Sequence, residues 1–253
     1  GHDINYIALT GALSSIGTKN TAPLPPLNLV GDFGGGGMVL AMGICAALVE
    51  VAKSGKGQII DSAMTDGSAL LMSMMYGFYS AGIWNDHRGS NLLDGAAHFY
   101  GCYECKDNKF VSIGSIEPQF YQELIKRLEV DEETFKDQMD RSKWPELKKI
   151  LEKKFKEKTR EEWCEIMEGG DVCFAPVLSL EESINYKHNK DRETFVNIDG
   201  VTQPAPAPRF SNTPGKIKHP PVRKGENTRE ILKSIGKEDL VQELIESKII
   251  SEG

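Results

Sequence analysis

The stretch that most constrains this chain is Asn28-Leu29-Val30-Gly31-Asp32-Phe33-Gly34-Gly35-Gly36-Gly37-Met38. One acid stands between an extended apolar run and four consecutive glycines. An apolar segment then runs from Met38 to Ala52 with Gly43 as its only helix breaker. The order reads as loop, acid, glycine turn and buried helix. Glycine permits positive φ and close approach of the backbone to a ligand. A helix start offers unpaired N–H groups and a partial positive charge that favour an anion. Asp32 therefore has two readings: a helix cap, which Asp serves well, or a carboxylate held for chemistry. His2 upstream and Glu117 downstream favour the second.

Composition narrows the setting. The chain has 253 residues, and 40% are apolar, enough for a sizeable core in one large domain or two smaller ones. A formal net charge of −7 and a pI near 5.4 argue against broad nucleic-acid affinity, which needs basic surface. No apolar run reaches membrane-spanning length, so no integral membrane segment is expected. Five cysteines, an odd number without framework spacing, point to a reduced intracellular setting rather than a secreted disulfide fold. The opening Gly1-His2-Asp3-Ile4 contains no initiator Met and no targeting segment, so the natural start is expected upstream. The closing Ser251-Glu252-Gly253 is not a peroxisomal address of the Ser-Lys-Leu type.

Along the chain, glycines and prolines break residues 1–27 into loop and short apolar pieces. Residues 38–53 are the best helix candidate of the first part, ended by Ser54-Gly55-Lys56-Gly57. That tetrapeptide lacks the spaced glycine and the Ser/Thr of a phosphate-binding loop. Gln58-Ile59-Ile60-Asp61 reads as a short strand, and residues 62–82 as a methionine-rich apolar helix. Residues 84–97 form a polar loop. Phe99 to Cys105 and Lys109 to Ile113 flank Lys106-Asp107-Asn108 as a hairpin. Gln119 to Leu128 is an amphipathic helix opened by Pro118. Trp144, Leu147, Leu151 and Phe155 recur at helical spacing, and Trp163, Ile166 and Met167 repeat the pattern. Ala175-Pro176-Val177 interrupts before a short helix at 180–187. The prolines of residues 203–221 mark a linker or extended arm, followed by short helices at Thr228 to Ser234 and Lys237 to Ile245. Composition shifts from Gly/Met-rich to charged near residue 99, the best domain boundary.

Most other motifs read blandly. Cys102 and Cys105 form one C-x-x-C on a strand whose side chains alternate faces, a poor start to a four-ligand metal site. The methionines suit a core, or a pocket that accepts varied apolar chains. The lysines at 148, 149, 153, 154 and 156 form a solvated helix face. His87, His98, His188 and His219 sit in polar or loop contexts without ligand spacing.

Four segments in order carry a resemblance: Gly1-His2-Asp3-Ile4-Asn5-Tyr6; Pro25-Pro26-Leu27-Asn28-Leu29-Val30-Gly31-Asp32-Phe33; Gly55-Lys56-Gly57-Gln58; and Ile116-Glu117-Pro118-Gln119-Phe120-Tyr121. Asn212-Thr213-Pro214 fits as well. Together they resemble the family III CoA-transferase superfamily, in its branch of racemases acting on α-methylacyl-CoA thioesters. The resemblance covers essentially the whole chain but not the family's N-terminal Rossmann-like segment, which contributes to the CoA site.

The resemblance implies an α/β fold: a partial Rossmann-like large domain (residues 1–62), a linker (63–98), a small α+β domain (99–186), a second linker (187–206), and a C-terminal arm (207–253) returning to the large domain. Two subunits are expected to interlock as a homodimer. The implied reaction interconverts (2R)- and (2S)-2-methylacyl-CoA through an enolate, in fatty-acid or bile-acid precursor metabolism. His2 and Asp32 would be the two acid–base groups, one on each face of the α-carbon. Glu117, reaching in from the partner subunit, would hydrogen-bond His2. Asn28 and Tyr100 match active-site positions, and Asp3 and Tyr6 the CoA-contacting neighbourhood. N–H groups of the glycine turn at 34–37 would lie near the enolate or thioester. No metal or redox cofactor is called for, since CoA is part of the substrate. The compartment implied is mitochondrial or peroxisomal. Two alternatives stay open: a CoA-transferase with Asp32 as nucleophile, or an inactive fragment or interaction module.

Overall fold

A computed structural model of the chain describes residues 1–251. It divides into two compact units, Gly1–Val177 and a second from Leu178 onward. Within the first unit the helices come first. They are α1 (Asp3–Ala8), α2 (Ala12–Ser15), a π-helix (Leu29–Met38), α3 (Val39–Ser54), α4 (Met64–Leu71) and α5 (Ser73–Ser80). The α+β part follows, with β1 (Tyr100–Glu104), β2 (Phe110–Gly114), α6 (Pro118–Leu128), α7 (Glu132–Phe135), α8 (Trp144–Phe155), α9 (Arg160–Met167) and β3 (Phe174–Val177).

The α+β part forms as its pattern dictates. β1 and β2 pair antiparallel from Tyr100↔Gly114 to Glu104↔Phe110, and β3 adds to β2. Pro176 is accommodated because β3 is an edge strand, where a missing N–H is tolerated. α6 buries Tyr121, Leu124, Ile125 and Leu128, and α8 buries Trp144, Leu147, Leu151 and Phe155. Both sets lie on one helical face. They join Tyr103, Val111, Ile113, Trp163 and Met167 in one core. A capping box fixes the start of α9: the Thr159 hydroxyl accepts the Glu162 N–H, and the Glu162 carboxylate accepts the Thr159 N–H at 2.7 Å.

His98, read from sequence as a loop histidine, lies wholly inside this core. Its Nε2 is 2.6 Å from the Tyr121 hydroxyl, and that hydroxyl donates to the Phe135 carbonyl at 3.0 Å. The hydroxyl hydrogen being used there, Nε2–H must donate to the Tyr121 oxygen, which leaves Nδ1 bare. Burial lowers the His98 pKa to about 4 and holds the ring neutral.

The helical part departs from the sequence expectations in four ways. The four glycines are not a turn, and none of them has positive φ. The helix after them is not buried: no residue of α3 is. The expected strand at 58–61 is an irregular connection, because among the described residues no strand pairs with it. The expected helix at 62–82 breaks at Met72 into α4 and α5. One consequence concerns membranes. The π-helix and α3 together form an uninterrupted helix of 26 residues, Leu29–Ser54, within which an 18-residue stretch has mean hydropathy 1.8. By length and composition it suffices to cross a bilayer.

The second unit holds α10 (Leu180–Asn185), α11 (Lys187–Asp191), the hairpin β4 (Phe195–Ile198) and β5 (Val201–Pro204), α12 (Thr228–Ser234), a 3-10 turn (Glu238–Leu240) and α13 (Val241–Glu246). The hairpin takes in Gln203 and Pro204, the first residues of the stretch expected to be an extended arm.

Candidate active site

Asp32 stands in the first turn of the π-helix and is exposed. The chain enters at Asn28, whose carbonyl accepts the Phe33 N–H at 3.3 Å, the five-residue step of a π-helix. Asn28 Nδ2 also donates to Asp32 Oδ2 at 3.2 Å. The N–H of Asp32 is one of the early donors that a helix leaves without an internal partner. It donates at 2.7 Å to Oδ2 of Asp3, 29 positions upstream.

His2 precedes Asp3 and caps α1 in extended conformation, with φ −123°. Its N–H donates to Asn5 Oδ1 at 2.9 Å, and its carbonyl accepts the Asn5 N–H at 2.9 Å. The imidazole is on an exposed residue. Tyr6, one turn on, is half-buried with its ring folded over Gly1. The Asp3–Asp32 hydrogen bond thus ties the His2 end of α1 to the first turn of the π-helix. His2, Asp3, Tyr6, Asn28 and Asp32 lie on these two joined elements.

The glycines serve close packing. A Cβ on Gly35 would lie 2.5 Å from the Ser68 nitrogen of α4, and one on Gly67 would lie 1.8 Å from the Gly35 carbonyl oxygen. Two backbones touch where neither tolerates a side chain. A Cβ on Gly31 would come within 2.4 Å of Asp3 Oδ2 and 3.0 Å of Met64 Sδ. The N–H groups of 34–37 lie inside the π-helix, so the expected dipoles at a helix start belong instead to residues 29–32.

Tyr100 and Glu117 belong to the α+β part. Tyr100 begins β1, with its ring 3.7 Å from where a Gly114 Cβ would be. Glu117 is exposed at the N-cap of α6 and makes no capping hydrogen bond. Burial, together with Glu117 and Asp171, pushes the Cys173 thiol up. Among the described residues no hydrogen bond joins Tyr100 or Glu117 to the His2–Asp32 group. Cys102 is exposed on β1, and Cys105, just past the end of that strand, is buried.

The methionines divide. Met64 lies beside Gly31, whereas Met72 and Met75 line a cavity of about 300 Å³ with Tyr76, Tyr79, Trp84 and Arg88. Neither His2 nor Asp32 lines that cavity. Two features were missed from sequence: the buried carboxylate of Asp3 beneath Asp32, and the contact of Gly35 with Gly67. Glycines four apart at 31 and 35, with another inside an apolar helix at 67, were the available signal for the second.

Comparison with known proteins gives this arrangement its kin. The family model described as CoA-transferase family III matches residues 1–228. Alpha-methylacyl-CoA racemase of Mus musculus is 45% identical over 248 residues, 96% of this chain and 65% of the relative. Alpha-methylacyl-CoA racemase of Homo sapiens is 44% identical over 255 residues, 99% of this chain and 66% of the relative. The chain therefore spans just under two thirds of the length of these relatives. The crystal structure of a CAIB/BAIF family protein from Brucella suis superposes with a TM-score of 0.73 at 20% identity, covering 93% of this chain and 63% of that one. It supports the fold alone. A match running through both the π-helix and the α+β part, with close relatives over nearly the full chain, places this chain in CoA-transferase family III.

Proposed function

We propose that this chain carries the catalytic part of a racemase that interconverts (2R)- and (2S)-2-methylacyl-CoA thioesters. The observation that carries the reading is the Asp3–Asp32 hydrogen bond, which holds the residue after His2 against the backbone of Asp32. An imidazole and a carboxyl group are thereby borne on two elements locked together.

The chemistry asks for such a pair. An α-proton of a thioester is weakly acidic, so its removal needs a base within hydrogen-bond reach. The developing oxyanion needs donors that bind it more strongly than the ground-state carbonyl. Inversion further requires that a proton leave one face and another arrive on the opposite face. Neutral His2 accepts from one enantiomer while protonated Asp32 donates, and the roles exchange for the other enantiomer. The Asn28 amide, hydrogen-bonded to Asp32, fixes the rotamer of that carboxyl. No electron transfer occurs and no bond other than C–H is remade, so the reaction makes no use of a redox group. We further infer that the working form is a homodimer in which the partner's Glu117 orients His2, since Glu117 lies on a different part of the protomer from the pair.

Incubation with a 2-methylacyl-CoA in heavy water tests this. Deuterium should enter the α-carbon, and His2→Ala and Asp32→Ala should each abolish that entry, while Glu117→Ala weakens it with folding intact. Acyl transfer to a free acid without exchange would assign Asp32 to a nucleophilic role instead.

A further inference from the structure

Asp3 holds a charged side chain where a chain of this kind has little reason to bury one. It is 7% exposed, and among the described residues only one of its two carboxylate oxygens has a partner. That partner is the Asp32 N–H, met at 2.7 Å. Hydrogen bonds to an ionised acceptor are the stronger kind, and this one reaches across to a helix start that supplies partial positive charge. The space for it is made from the other side. Gly31 has no side chain, and a Cβ there would lie 2.4 Å from the accepting oxygen. His2 and Asp32, on either side of this bond, are themselves exposed.

We propose that Asp3 is a positioning residue: by accepting the Asp32 N–H, its carboxylate sets the separation of the two acid–base side chains, one on its neighbour His2 and one on Asp32. The assignment rests on the two-base reading above, and it departs from the CoA contact that family resemblance implies for Asp3. A carboxylate that contacted CoA would contribute equally to the bound substrate and to the transition state. A strut beneath the pair contributes to turnover, because a misplacement of about 1 Å at the reacting centre costs on the order of 100-fold.

Three variants of the full chain test it: Asp3→Ala, Asp3→Asn and Gly31→Ala. Asp3→Ala removes the acceptor. Asp3→Asn keeps an oxygen that can accept the N–H but removes the charge. Gly31→Ala leaves Asp3 in place and drives a methyl into the contact. The first readout is amide exchange at Asp32 by NMR. It should quicken about tenfold or more in Asp3→Ala and Gly31→Ala, and by less than about threefold in Asp3→Asn. The second is α-proton exchange, where the same two variants should lose kcat by about 10- to 100-fold with KM within about twofold, and Asp3→Asn should recover most of the loss.

A raised KM with kcat intact in Asp3→Ala would overturn the proposal, as would unchanged Asp32 amide exchange. So would an Asp3→Asn variant as impaired as Asp3→Ala. If Asp3→Ala does not fold, Gly31→Ala and Asp3→Asn carry the test. If the parent chain exchanges no α-proton, the racemase reading fails, and amide exchange at Asp32 alone decides whether Asp3 holds that backbone.

Discussion

The two parts of the first unit use apolar residues in opposite ways. Between Ala97 and Val172 they close on one another, with Phe99, Leu124, Leu151, Phe155 and Trp163 all fully buried. Between Leu29 and Ser80 they lie largely open: Met42 and Leu48 are each 62% exposed, and α3 buries nothing. What holds this helical part is contact of backbone on backbone at Gly35 and Gly67, together with the Asp3 carboxylate. Apolar content alone therefore does not say where a core is. Exposed apolar surface of this extent marks a place of association. The proposed acid–base pair, His2 and Asp32, resides in the part that has the least core of its own, and Glu117, its proposed helper, in the part that has the most.

That contrast can be broken or sharpened by measurement. Trp163 is fully buried, donates to the Phe155 carbonyl at 2.8 Å and stacks edge-on with the Phe155 ring. Trp163→Ala should cost about 3–5 kcal/mol in urea denaturation. Next comes pH. The folded pKa of His98, about 4, lies below its ordinary 6.5. Between those values the unfolded chain takes up a proton that the folded chain refuses. Stability of the α+β part should fall as pH drops from 6.5 toward 4, by up to about 3 kcal/mol in all, with this group adding no slope above that window. Denaturation at stepped pH checks it, and His98→Gln should remove the slope. Gly67→Ala should follow, costing about 1–3 kcal/mol by forcing the π-helix from α4. Loss of helical signal should precede loss of tryptophan fluorescence from the α+β part. Leu48→Ser, on the open face of α3, should change stability by less than about 0.5 kcal/mol. A cost near that of Trp163→Ala would mean the open face is covered in solution.

How much of this was legible in the sequence follows the same divide. The hairpin β1–β2 and helices α6 and α8 emerged where expected, because their buried apolar residues, Tyr103, Val111, Ile113, Leu124 and Leu151 among them, face one core. The π-helix did not. Four successive glycines have poor helix propensity, and the close fit of Gly35 against Gly67, 32 positions away, favours a helix there. His98 was misread for a related reason: its neighbours Tyr121 and Phe135 come from distant turns, and no local spacing announces them. In the candidate site, the step of four from Asn28 to Asp32 was visible in the chain. The carboxylate of Asp3 beneath Asp32 was not, since nothing local pairs residues 3 and 32.

The pitch of the helix that bears Asp32 has a consequence for how this protein tolerates change. Each turn there spends more residues than an α-helix would. A single deletion between Leu29 and Met38 could let the segment rewind to the commoner pitch, keeping every side chain of α3 while swinging the Asp32 carboxyl around the axis. Variants of this region are best judged by residue count as well as by residue identity: loss of one glycine would be felt as a change of direction at Asp32.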